Sequence, residues 1–341
     1  MASHVVDGHS SCRASTIPTL EDPLTCMGVT SSAPAAARCS PPSGNDDVIA
    51  AGPLVRRVET KQNRAESMGS THQAHAPATQ PFGAEAFAPS DQTVLRWLGM
   101  AGFLVNSRGT TIMIDPLLGG FDMPIMIEMP LSPADVPHLD ALLVTHSDND
   151  HYSVPTCRDL ADVSETFHST QYVASLMREE NLPSVGHDIG DTFQIGPVRV
   201  EVTPADHAWQ NASPGASSRV FRDEDCCGFW LTTPDGTIWA PGDSRLIPEH
   251  HLTRPAPDAL IFDFSDSEWH FGLDGAVKMA NTYPATPLLL HHWGSVDAPN
   301  FAPFNADPAS LHDRVDNPDR VYVLAPGAPF TLRALKIDPA S

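Results

Sequence analysis

Lysine is almost missing from this 341-residue chain: Lys61, Lys278 and Lys336 are the whole complement, and Lys plus Arg number 20 against 42 Asp plus Glu. The formal net charge of -22 leaves no cationic footprint for a phosphate backbone, which excludes a nucleic-acid binder. The same charge is repelled by an anionic membrane surface. No apolar run is long enough to cross a bilayer, and no apolar signal core follows the N-terminus. The six cysteines, Cys12, Cys26, Cys39, Cys157, Cys226 and Cys227, make no CxxC pair and no paired framework. They read as free thiols of a reducing, cytoplasmic compartment. There is no GxSxG elbow, which argues against a cofactor-free serine hydrolase.

Residues 1–90 are rich in Ser, Ala, Pro, Thr and His and carry little periodic apolar pattern. A stretch such as SSAPAAARCSPPSG buries too little to offset the entropy of ordering it. The expected organisation is a disordered leader over 1–90 and one domain over 91–335. Within that domain TVLRWLG, FLVNS, GTTIMIDP and DALLVTH read as strands. TFQIGPVRVEVTPADH reads as two more, and CGFWLTTPDGTIWAPGDS as a hairpin turning at Pro234-Asp235-Gly236. DALIFDFS, PLLLHHWG and RVYVLAP are further strands. TQYVASLMREENL reads as a short strand running into a helix, and LDGAVKMANTY and PASLHDRV as helices. Many strands with interspersed helices predict a layered α/β domain, two sheets with helices outside.

Four of the apolar runs stop at a metal-binding side chain. LLVTH ends at His146 and continues through Asp148, Asp150 and His151. VEVTPADH ends at His207, TIWAPGD at Asp243, and PLLLHH at His291 and His292. One strand-end histidine is ordinarily solvated or satisfied in a core; the joint pattern points to a metal centre. Imidazole and carboxylate together suit zinc and related divalent ions, and a catalytic site leaves one position to water. Strands hold such groups rigidly. Neighbours on a strand face opposite ways, so only one of His291 and His292 is expected to take part. His250 and His251, after PGDS, could supply a stray ligand but read rather as surface residues.

The ordered set HSDNDH, TPADH, PGDS and HHWG resembles the metallo-β-lactamase-fold hydrolases. Their signature is HxHxDH at a strand end, then a distant His, an Asp in a Gly-Asp step, and a final His. The opening LRWLGMAGFLV with IMIDP is similar to the branch that holds L-ascorbate-6-phosphate lactonase and N-acyl-phosphatidylethanolamine phospholipase D. The resemblance spans about Gln92 to Phe330. It implies a four-layer αββα fold, a metal-dependent hydrolase, Zn2+ as one or two ions, and a homodimer. Residue by residue it implies a first metal site of His146, Asp148 and His207 and a second of Asp150, His151 and His292, with Asp243 as the bridge. His292 is preferred to His291 because it directly precedes Trp-Gly. Asp115, in IDP, falls in a supporting position. Two residues depart from the family: Asp148 stands in place of a His, and Met100 in place of the His of LGHA. An Asp reaches less far and adds negative charge. A one-metal centre on Asp150, His151, Asp243 and His292 is therefore an alternative, and so is a non-catalytic scaffold whose site has decayed.

Trp209 follows close on His207, Trp269 precedes His270, and Trp293 follows His292. The loop from Gly119 to Pro133 carries Phe121, Met123, Ile125, Met126, Ile127 and Met129, which the resemblance places over the site or against a partner chain. Trp209, Trp269, Trp293 and Met126 are the candidates for substrate contact. Only Arg219, Arg222 and Arg245 lie in the segments around the ligands, which disfavours a phosphate-bearing substrate. The expected substrate is a small, apolar, aromatic molecule. That profile resembles the hydrolytic dehalogenases of the chlorothalonil type in the same superfamily. The resemblance implies attack by hydroxide on an electron-poor ring, with Asp150 or Asp148 orienting the hydroxide and His270 stabilising charge. A lactonase or phosphodiesterase on the same metal core is the alternative.

Overall fold

The computed structural model describes residues 73–213, 215 and 217–335; the part of the expected leader that falls on 1–72 lies outside them. The first sheet begins with an antiparallel meander of Thr93–Gly99 (β1), Gly102–Ser107 (β2) and Thr110–Ile114 (β3). Ala141–Leu143 (β4), Phe167–Thr170 (β5) and Ser184–His187 (β6) then add in parallel. The second sheet contains Thr192–Ile195 (β7), Val198–Pro204 (β8), Cys227–Thr233 (β9), Gly236–Ala240 (β10), Ala259–Phe262 (β11), Leu288–Leu290 (β12) and Val321–Tyr322 (β13), in that order across the sheet. The last strand, Pro329–Thr331 (β14), returns to pair with β1.

Side-chain alternation decides the layering. Along β1 to β4, Leu95, Trp97, Phe103, Val105, Ile112, Ile114, Ala141 and Leu143 enter one core, shared with Val200, Val202, Phe229 and Leu231 of the second sheet. Leu98, Leu104, Met113 and Leu142, the residues between them, enter a second core with Val173 and Met177. Successive residues of a strand face opposite sides, so both faces of the first sheet are dry. The outer face is covered by Val154–Asp159 (α1) and Gln171–Glu179 (α2). In the second sheet β10 to β13 run parallel, and the runs ALIF and LLL are wholly buried, as parallel strands covered on both faces require. Pro248–His251 (α3) lies in the crossover between β10 and β11, and Gly272–Thr282 (α4) in that between β11 and β12. The result is two mixed sheets flanked by helices, the expected αββα arrangement.

Strand direction places the site. β8 is antiparallel to β9, and β9 to β10, so β8, β10, β11 and β12 point the same way and end on one edge. The parallel pair β3 and β4 brings the chain after Ile114 and Leu143 to that edge as well, where the Cys227 amide of β9 donates to the Thr145 carbonyl at 3.0 Å.

Three local readings change. Residues 73–90, assigned above to the leader, belong to the domain: Ala86 and Phe87 are buried, and Asn106 Nδ2 donates to the carbonyls of Ala86 and Ala88 at 2.8 and 2.9 Å. Composition missed them because they are held by contacts distant in sequence, without a periodic pattern of their own. PASLHDRV forms only a short 3-10 turn, Pro308–Leu311. Conversely, α1 escaped notice, although Ser153 caps it by accepting from the Thr156 amide. Among the described residues no helix is long and apolar enough to cross a membrane.

Candidate metal centre

Five histidines converge at the strand-end edge, and each is turned the same way. Asp115, after β3, accepts at 2.8 Å from the Thr145 amide, 2.6 Å from the Thr145 hydroxyl and 2.8 Å from His151 Nδ1. Because the Thr145 proton goes to Asp115, its oxygen accepts from His146 Nδ1 at 3.0 Å. His207 Nδ1 donates to the Trp269 carbonyl at 2.8 Å, and His292 Nδ1 to the Pro303 carbonyl at 2.8 Å. His270 Nδ1 donates to Asp263 Oδ2 at 2.5 Å. A carbonyl or carboxylate oxygen can only accept, so each Nδ1 carries the hydrogen and each Nε2 is left for the interior.

Those Nε2 atoms surround one carboxylate. Asp243, after β10, has Oδ2 at 3.2 Å from His151 Nε2, 3.4 Å from His292, 3.6 Å from His270 and 3.9 Å from His207. Its Oδ1 and the Nε2 of His146 are buried without a hydrogen-bond partner. Imidazole lone pairs aimed at carboxylate oxygens in a dry site repel each other unless a positive charge lies among them. The donor set fits a metal ion on this ground. Asp150, His151, Asp243 and His292 offer atoms all within 4.8 Å of one another, and so do His146, His207 and Asp243. Asp243 belongs to both groups, the place expected of a bridge. Outer-sphere acceptors such as Asp115, Pro303 and the Trp269 carbonyl are what fixes ring orientation at metal centres.

The electrostatics show the same tension. Burial works against charge on Asp243, but His151, His292 and His270 overcome it and hold the carboxyl well below its usual range. Burial likewise opposes charge on Asp148, and His146 and His207 outweigh it in the same direction. Burial pulls His292 down, yet Asp243 and Asp150 lift it to about 9. His291, one residue earlier and facing Phe103 at a ring distance of 6.2 Å, is pushed down by burial to about 4. Of the two neighbours, His292 is the one in the cluster. It adopts φ 63, and Asp115 φ 44, left-handed conformations that cost on the order of 1–3 kcal/mol each and persist only where surroundings enforce them.

Asp148 lies beside His146 and His207, the pair with which the sequence grouped it, and is held there by two further side chains. It belongs to neither close group. Its Oδ2 accepts from Trp209 Nε1 at 2.6 Å and its Oδ1 from Gln210 Nε2 at 2.7 Å. The same Oδ2 lies 3.4 Å from Nε2 of both His146 and His207. Met100, the other departure, is buried with Leu117, Val296, Ala298 and Phe304, in an apolar cluster.

Above the centre opens a cavity of about 820 Å³. Phe121, Trp209, Phe221, Trp269, Phe301 and Phe304 supply aromatic walls, and Asp148, Asp150, Asp243 and His270 form part of the floor. Asp122, Asp266 and Glu268 also line it, and no lysine or arginine does among the described residues. Trp209 and Trp269 thus lie where substrate contact was expected. Trp293 does not: it is buried in the sandwich core, stacked on Trp97 at 6.0 Å. The residue after a strand-end ligand simply points the other way. Met126 is also misplaced, because its amide donates to the Ser295 carbonyl and the cavity is lined instead by Phe121 and Met123. His251 is no surface residue; it is fully buried, with its ring 5.7 Å from that of Trp239. Asp263 went unnoticed, though it follows β11 as the other candidate ligands follow their strands. Gln210, Phe221, Phe301 and Phe304 carried no such signal.

Residues 110–293 match the family model described as "Beta-lactamase superfamily domain". A "UPF0173 metal-dependent hydrolase" of Nitratidesulfovibrio vulgaris is 30% identical over 254 residues, covering 71% of this chain and 96% of the relative. Another, of Pyrobaculum arsenaticum, is 31% identical over 249 residues, covering 68% and 97%. Among solved structures, an isothiocyanate hydrolase from Delia radicum gut bacteria superposes with TM-score 0.57 at 18% identity, covering 71% of this chain and all (100%) of that one. Igni18, a metallo hydrolase from Ignicoccus hospitalis, superposes with TM-score 0.55 at 18% identity, covering 71% and 99%. At that identity the structural likeness speaks for the fold.

Proposed function

The chain belongs to the beta-lactamase superfamily, among its metal-dependent hydrolases, and from that premise we propose that it hydrolyses a small, uncharged aromatic electrophile, with displacement of chloride from an electron-poor ring as the reaction. The observation that carries this reading is the cavity: aromatic walls on a floor of candidate metal ligands, with no cationic side chain to hold a phosphate.

Asp150, His151, Asp243 and His292 would hold one ion, and His146 and His207 with Asp243 a second, zinc being the metal that this donor set suits. A bound divalent cation would supply Lewis acidity and lower the pKa of water to about 7. The remaining work falls to the protein. Trp209 and Gln210 hold the Asp148 carboxylate at the floor, where it can accept a hydrogen bond from the attacking water and orient it. Trp209, Trp269 and Phe304 offer ring faces for stacking and keep the site dry. His270, oriented by Asp263 through Nδ1, would stabilise the developing negative charge when its Nε2 also carries a proton. The balanced reaction is aryl chloride plus water giving phenol, chloride and a proton.

The test is chloride release from a chlorinated aromatic nitrile by zinc-loaded protein, beside Asp150→Ala. Release that disappears in the variant supports the reading. No release by metal-loaded wild type overturns it; lactones, phosphodiesters and isothiocyanates would then be assayed in turn.

A further inference from the structure

His292 owes its orientation to a segment that has little structure of its own. Its Nδ1 bonds the Pro303 carbonyl, and its ring stacks on Phe304 at 5.0 Å. Between Val296 and Phe304 the only regular element is the single 3-10 turn Ala302–Phe304. Such a segment needs an outside grip to keep its carbonyls in place.

That grip comes from the other end of the domain. Gln73 is buried, and its Nε2 donates to the Val296 carbonyl at 2.5 Å and the Phe304 carbonyl at 3.3 Å. Its Oε1 accepts from the Ala298 amide at 3.0 Å. One amide side chain therefore closes both ends of 296–304, with Pro303 between them. Close by, the Ala76 amide donates to the Gly294 carbonyl at 3.0 Å. A Cβ on Gly294 would stand 2.6 Å from the Ala76 nitrogen, so the N-terminal segment can lie this near only against glycine.

We propose that Gln73 is a positioning residue for the metal centre: by clamping 296–304 it sets the Pro303 carbonyl that orients His292 and the Phe304 ring that walls the cavity. The proposal rests on the metal-centre reading above. A purely structural role would stabilise the domain without touching the metal, and the two roles separate by experiment.

The full chain is compared with Gln73→Leu, which keeps the bulk and removes the polar atoms, and with Asn106→Leu. The latter frees Ala86 and Ala88 of the same N-terminal segment without touching 296–304. Each protein is loaded with cobalt(II), and its visible spectrum and its rate of metal loss to a chelator are recorded beside the melting midpoint of the metal-free form. We expect Gln73→Leu to lose cobalt at least about tenfold faster, as removal of outer-sphere support does elsewhere, and to change the spectrum. Asn106→Leu lowers the midpoint and leaves both unchanged. If Gln73→Leu does not fold, Gln73→Asn replaces it. Cobalt loss from the Gln73 variant within about twofold of wild type, or equal acceleration in Asn106→Leu, overturns the positioning role alone. A wild type that binds no cobalt overturns the metal centre and this role with it.

Discussion

The indole Nε1 of Trp209 donates to Asp148 Oδ2 at 2.6 Å. One tryptophan thus both walls the cavity and anchors a carboxylate on its floor.

Trp209→Phe separates these tasks, because phenylalanine keeps an aromatic face and loses the donor. A hydrogen bond to a charged group contributes about 1.5–3 kcal/mol, or roughly 10- to 100-fold in rate. We expect kcat to fall by that factor with KM little changed, and Gln210→Leu to behave alike. A Trp209→Phe enzyme with unchanged kcat would reduce Trp209 to a stacking surface.

Asp243→Asn is expected to weaken metal retention by more than about a hundredfold, beyond the range seen for outer-sphere changes, as measured by equilibrium dialysis. The same centre gives the metal-free protein a pH signature. A His292 pKa raised to about 9 contributes stability that is fully present below the unfolded value of about 6.5 and lost as pH rises through about 9. Chelated wild type should therefore weaken between those limits in urea titrations, and added metal should abolish the slope. A chelated protein with a flat profile from pH 7 to pH 9, judged against that roughly two-unit window, contradicts the arrangement.

Acid should weaken the domain for a different reason. Burial depresses His251 to about 3, and it depresses His168 and His250 to about 4 each. A histidine held neutral stabilises fully above its unfolded pKa of about 6.5, and that stability drains away as pH falls towards the folded value. For His251 the loss at pH 5 is about 2 kcal/mol. Urea midpoints should drop steadily between about pH 6.5 and pH 4. His168→Asn, which removes a ring stacked against Phe193 and bonded to His187 at 2.9 Å, should flatten the curve; an unaltered slope would show that this pair is not responsible.

Much of the centre was legible along the chain because strand physics is local. An apolar run that stops at His or Asp places that group at a sheet edge, and His146, Asp150, His151, His207, Asp243 and His292 all lie together there. Asp115 was legible as a supporting residue for the same reason. Trp293 shows where the reasoning fails. Adjacency to a ligand says nothing about facing, and its ring lies in the core beside Trp97.

What this sequence determined alone was the set of strands, their buried faces and the chemical character of their ends, since these depend on residue type and a two-residue period. Only the tertiary structure decided which nitrogen each histidine turns inward, that Asp148 is tied to Trp209 and Gln210, and that Gln73 grips the segment behind His292. The physical reason is that many of these contacts end on main-chain carbonyls. Every residue has one, so no residue type marks it, and the fold alone chooses which carbonyl meets which ring.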